Sequence, residues 1–149
     1  MSARTELTDR ILASKHRLNL KWTGIAADLG TSSPIITTAA LLGQFPLTQD
    51  EAQKAVTLLE LEPADAALLT ESPMRGEGAV MPPTDPLIYR FYELIMNFGP
   101  TWKVLIEEEF GDGIMSAIDF NMSIEREPDP KGDRVKIAMS GKFLPFKRY

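Results

Sequence analysis

Apolar positions over the first 70 residues recur at a spacing near 3.6, which predicts short amphipathic helices. Ile11, Leu12 and Leu18 form one such stripe behind Thr5-Glu-Leu-Thr8. Thr23 is placed to cap a second helix through Ile25, Ala26 and Leu29, with Gly30 as its left-handed stop. Ser33 followed by Pro34 is a cap-then-first-turn start for a third helix, over 35–42. Thr48, with Glu51 three residues on, reads as a capping box opening a fourth helix that carries Ala52, Ala55, Val56 and Leu59. Pro63 begins a fifth, ending near Leu69. Five short helices with tight connections make a small bundle.

Residues 71–84 hold three prolines and two glycines and fit neither helical nor strand periodicity, so they read as a linker. The expected organisation is a helical domain over 1–75, a linker over 76–84 and a second domain over 85–149. Asp85-Pro86 caps a helix running to about Asn97, with Gly99 as its stop, and Thr101 caps another that ends at Gly111. Beyond Gly113 the period changes to two. Ile118, Phe120, Met122 and Ile124 alternate with Ala117, Asp119, Asn121 and Ser123, and Val135, Ile137 and Met139 alternate again after a turn at 127–133. The second half is therefore helices plus a β-hairpin, and the fold class is α+β, mainly α.

That half cannot stand alone. A two-stranded hairpin is marginal in water. The helix 85–98 carries Leu87, Ile88, Tyr89, Phe91, Tyr92, Leu94, Ile95, Met96 and Phe98 around nearly its whole circumference. A helix apolar all round is buried on all sides, which points to cover by another subunit, the alternative being cover by the bundle of residues 1–70. Its few polar residues, Arg90, Glu93 and Asn97, fall on one stripe by their spacings of three and four. Two readings fit that stripe. Arg90 and Glu93 are either a partly buried salt bridge that fixes subunit register, or an anion site in which the planar fork of Arg90 meets negative charge and Glu93 orients it. Ser116 lies just past Gly111-Asp-Gly113, where a turn passes into a strand.

Composition narrows the chemistry. The 149 residues include no cysteine and one histidine, His16. Thiol nucleophiles, zinc–thiolate sites and iron–sulfur clusters are excluded, and Ser116 has no histidine base in its own half of the chain. The expectation is a protein with no metal and no cofactor. The net charge of −5 is a poor match to a phosphate backbone. Thr23 to Leu42 has the outline of a helix-turn-helix, so a DNA-binding regulator is the alternative reading. Yet 33–42 contains no Lys or Arg, and residues 1–80 carry seven basic against ten acidic side chains. Residues 1–10 lack the apolar core of a secretory signal, and the apolar runs fall short of a membrane span, so a cytoplasmic location is expected, with no membrane or nucleic-acid partner.

The stretch Pro83-Thr-Asp-Pro-Leu-Ile-Tyr-Arg-Phe-Tyr-Glu93, followed by Phe110-Gly-Asp-Gly-Ile-Met-Ser-Ala-Ile-Asp-Phe120 and Gly141-Lys-Phe-Leu-Pro145, resembles the cyanases (cyanate hydratases, or cyanate lyases). The resemblance extends over essentially the whole chain. It implies a helical N-terminal domain similar to a repressor-type bundle and a C-terminal domain that dimerises by intertwining. It further implies a decamer built as a pentamer of dimers, with active sites shared between subunits. The implied reaction is bicarbonate-dependent breakdown of cyanate to carbamate, which gives ammonia and carbon dioxide, with bicarbonate as co-substrate and no cofactor. The family's catalytic Arg, Glu and Ser fall on Arg90, Glu93 and Ser116.

Overall fold

The structure, a computed structural model, describes residues 2–31, 33–77 and 79–149. The chain divides into two units, Met1–Gly78 and Ala79–Tyr149.

The first unit contains α1 (Ala3–Arg17), α2 (Trp22–Leu29), α3 (Pro34–Leu41), α4 (Gln49–Leu58) and α5 (Asp65–Thr70). Three helix boundaries follow the chemistry expected of them. Gly30 ends α2 at φ 78°, Ser33 caps α3 by accepting from the Ile36 N–H, and Thr48 and Glu51 exchange the two hydrogen bonds of a capping box. Two others differ. Helix α1 begins earlier, on Ser2, whose hydroxyl accepts from the Thr5 N–H. Helix α2 begins after Lys21 with no side-chain cap, so Thr23 lies inside its first turn instead of before it. The core draws on every helix: Leu7 and Ile11, Ile25 and Leu29, Ala40 and Leu41, Ala52 and Ala55, then Ala66 and Leu69, with Leu47 and Leu59 at the connections. Leu12 is exposed, because Leu7, Ile11 and Ser14 form the inward stripe of α1. Among the polar ties that cross the bundle is a bidentate ion pair. Asp65, buried, accepts both forks of Arg10 at 2.6 and 2.7 Å and also the Glu62 N–H at 3.1 Å. The hydrogen-bonded Asp65 carboxylate holds the Arg10 guanidinium above its ordinary pKa.

The second unit is one long helix, α6 (Pro86–Phe110), and an antiparallel pair, β1 (Gly113–Glu127) with β2 (Arg134–Pro145). The two helices expected over this stretch are a single one. A glycine stop needs the left-handed conformation, and Gly99 is not among the positive-φ glycines, so the helix passes through Gly99 and Pro100 without a break. Pro100 lacks an N–H and so forgoes one backbone hydrogen bond in mid-helix. No residue of α6 is buried within the chain. Phe91, Leu94, Ile95, Phe98, Trp102 and Leu105 are all exposed, as are Ile124 and Met139 on the hairpin. Among the described residues no helix is long and apolar enough to cross a membrane.

Two outcomes follow from this architecture. Thr48→Ala, which removes the capping box, lowers stability by about 1 kcal/mol, read from urea unfolding. The uncovered apolar surface of the second unit requires other copies of the chain against it, so light scattering at micromolar protein gives an oligomer; a stable monomer contradicts this.

Candidate active site

The phase of α6 is fixed at its first turn. The Asp85 carboxylate accepts from the Leu87 and Ile88 N–H groups, both at 2.9 Å, and Pro86 supplies a preset φ at the first helical position. From that start Arg90 and Glu93 stand one turn apart on the same face. Arg90 is exposed, its guanidinium carbon 5.8 Å from the centre of the Tyr89 ring. Glu93 is half-buried. Among the described residues no ion pair within 4.0 Å includes either side chain. The salt bridge considered from the sequence does not form within one chain, and Arg90 is left as a cation without a carboxylate partner.

Ser116 is held by a different device. Gly111, at φ 89°, ends α6, and β1 opens at Gly113. The ladder pairs Gly113 with Pro145, Ile114 with Leu144 and Met115 with Phe143, then resumes at Phe120 with Gly141. Residues 116–119 of β1 therefore face residue 142 of β2 alone, as an extended bulge. The strict alternation read through Ile118 fails here for that reason, and Ile118 is 98 % exposed. Inside the bulge, the Ser116 Oγ accepts from the Ile118 N–H at 3.0 Å and the Asp119 N–H at 2.9 Å. Ser116 is 5 % exposed and is the one buried residue among those described in the second unit.

A serine hydroxyl has one proton and two lone pairs. Both lone pairs of Ser116 are engaged by backbone donors, and its proton has no acceptor among the described residues. The group is thus a poor base and a poor nucleophile. It is a hydrogen-bond donor polarised by two amides.

Within one chain the three residues form two fragments. Arg90 and Glu93 share a helix face, and no hydrogen bond or ion pair joins them to Ser116. The end of α6 meets β2 where the Phe110 and Phe143 rings stack at 5.2 Å between centres. A cleft of about 310 Å³ elsewhere, lined by Arg10, Ser14, Arg17 and Glu60, includes none of the three. Among the described residues no group of three or more His, Asp or Glu is arranged to hold a metal ion. The bulge itself was not foreseen from the sequence. Its available signal was Gly141, a glycine within a strand pattern, which marks bulges or close backbone approach.

The features define a class: a two-unit α+β protein with a five-helix first unit and a second unit of one long helix and an antiparallel strand pair. Comparison with known proteins makes the family plain. Residues 4–73 match the family described as "Cyanate hydratase, N-terminal", and residues 80–148 match "Cyanate lyase C-terminal domain". The chain is 56% identical over 146 residues to a cyanate hydratase of Ralstonia pickettii, covering 98% of this chain and 99% of that one. It is 53% identical over 147 residues to a cyanate hydratase of Methylibium petroleiphilum, covering 99% of both. Among solved structures it is similar to cyanase from T. urticae, with TM-score 0.80 and 33% identity over 93% of this chain and 96% of that one. The chain belongs to the cyanate hydratase family.

The geometry of Ser116 predicts a local effect. Ser116→Ala removes the acceptor of two backbone N–H groups, so the amides of Ile118 and Asp119 exchange faster with solvent than in the wild type, while the ladder from Phe120 onward keeps its protection; amide exchange resolved by residue checks this.

Proposed function

We propose that this protein decomposes cyanate with bicarbonate as co-substrate. The observation that carries the reading is its full-length similarity to cyanate hydratases. The chemistry balances without a cofactor. A bicarbonate oxygen bonds to the cyanate carbon. Cleavage of the bond between that oxygen and the former bicarbonate carbon then releases carbon dioxide and leaves carbamate, with one proton taken up on nitrogen besides the one bicarbonate brings. Carbamate takes up a further proton and falls apart to ammonia and carbon dioxide.

Two anions must meet, and the adduct gathers negative charge on one small species. Stabilisation has to come from donors and cations already in place. Arg90 supplies a permanent cation with a planar fork of donors. Ser116, its lone pairs taken by the Ile118 and Asp119 amides, supplies a polarised O–H. Glu93, one turn from Arg90 and half-buried, orients the guanidinium when the site is complete. Holding two small reactants together contributes much of the remaining gain.

The site is completed in an assembly. The resemblance supports a decamer, a pentamer of intertwined dimers, and a cytoplasmic role in cyanate detoxification or nitrogen supply. A DNA-binding regulator finds no support: α3, the would-be recognition helix, carries no Lys or Arg and presents Ile36 outward.

The deciding assay is ammonia release from cyanate, with and without added bicarbonate. Release that depends on bicarbonate is expected; equal rates in bicarbonate-depleted buffer would remove the assigned nucleophile. In intact oligomers Ser116→Ala lowers kcat by about 10²–10³-fold, the usual effect of losing one preorganised donor. Arg90→Lys keeps the charge, loses the fork and loses most activity. Near-normal bicarbonate-dependent rates in both variants would dismiss the site assignment.

A further inference from the structure

We propose that Gly141, with the bulge it permits, is the positioning element for the Ser116 hydroxyl; this rests on the reading of Ser116 as the donor in cyanate turnover. Gly141 pairs with Phe120 at the point where the ladder resumes. A Cβ placed on it would overlap the Ser116 carbonyl oxygen and lie 2.6 Å from Met115 Cγ. Real Cβ atoms essentially never approach so closely, and the nearest obstacle is backbone, which cannot swing aside as a side-chain tip can. The Ser116 peptide therefore lies directly against the bare Cα of Gly141.

That approach has a consequence for chemistry. With the Ser116 carbonyl seated on Gly141, the chain must travel through Ala117, Ile118 and Asp119 before rejoining the ladder at Phe120. The excursion brings the Ile118 and Asp119 N–H groups back onto the Ser116 Oγ. Any side chain at 141 pushes the Ser116 carbonyl outward, rotates its peptide and separates Oγ from those two donors. The hydroxyl then regains free lone pairs and loses its fixed direction. Gly141 touches no reacting atom in this account and acts only through Ser116.

The test compares kcat and KM for cyanate in Gly141→Ala, Ser116→Ala and the double variant, each verified by light scattering as the wild-type assembly. Gly141→Ala is expected to lower kcat by about 10²-fold with little change in KM, the signature of a mispositioned transition-state donor. Added to Ser116→Ala, it should lower kcat by less than about threefold, because the group it acts through is already gone. Gly113→Ala is the matched control. Its Cβ would overlap the Leu144 carbonyl oxygen and lie 2.6 Å from Phe143 Cζ, so it disturbs the same hairpin without touching Ser116. Its effect should be the same factor in both backgrounds. Normal kcat in Gly141→Ala, or multiplicative losses in the double variant, overturns the proposal.

A second variant guards against failed assembly of the first. Deleting Ala117, an exposed bulge residue, shortens the excursion and leaves Gly141 untouched. It should give the same kcat loss, again cancelled by Ser116→Ala; normal turnover, or failure of both variants to assemble, overturns the positioning role. If the wild-type protein itself does not turn over cyanate, the functional reading falls and amide exchange decides this one. Faster exchange at Ile118 and Asp119 in Gly141→Ala supports positioning, and unchanged exchange rejects it.

Discussion

Helix α6 carries apolar side chains round its circumference, and none of them is buried within the chain. Burial of apolar surface is worth roughly 25 cal/mol per Å², so a long helix left in water forgoes the largest favourable term in folding. The hairpin adds Ile124, Val135 and Met139 to the same exposed inventory, and two strands alone do not hold. The second unit is thus half of a core. In the proposed assembly its other half is another copy of the sequence, and the proposal places the union of Arg90, Glu93 and Ser116 there. Folding and assembly are coupled through this single shortage of cover.

Against that openness, Ser116 stands out as the place where the second unit is already finished. Its surroundings are local: four consecutive residues of one strand, a glycine opposite, and two backbone amides. Such a device needs no partner to set the direction of the hydroxyl. The division is physically sensible. A donor that must be preorganised to be useful is built from backbone geometry, whereas the apolar walls, which tolerate some adjustment, are left to assembly.

The legibility of the sequence followed the range of the interactions concerned. The Thr48–Glu51 capping box, the Ser33-Pro34 start, the Gly30 stop and the Asp85 cap were readable because each is decided within four residues. The helix break at Gly99 was misread because glycine permits a stop without requiring one; the backbone there stays helical. The bulge at 116–119 was hidden because it depends on how β1 meets β2 some 25 residues later, and period-two alternation carries no information on register. Arg90, Glu93 and Ser116 were named through family resemblance. The residues alone left Arg90 and Glu93 open between a salt bridge that fixes subunit register and an anion site, because either role is decided by what packs against the helix and not by its own spacing.

Electrostatics sets the last condition. The chain carries a net charge of −5, yet its substrates in the proposed reaction are anions. At physiological ionic strength the Debye length is about 8 Å, so most of that negative charge is screened from an anion approaching α6, and the nearest unscreened charges decide. Arg90 without an ion pair keeps its full charge, with the Tyr89 ring beside it in place of an acid. Glu93, three residues on, is outside ion-pair distance of Arg90 in the single chain. In the proposed reaction a local cation such as Arg90 therefore counts for more than the net charge of the whole chain.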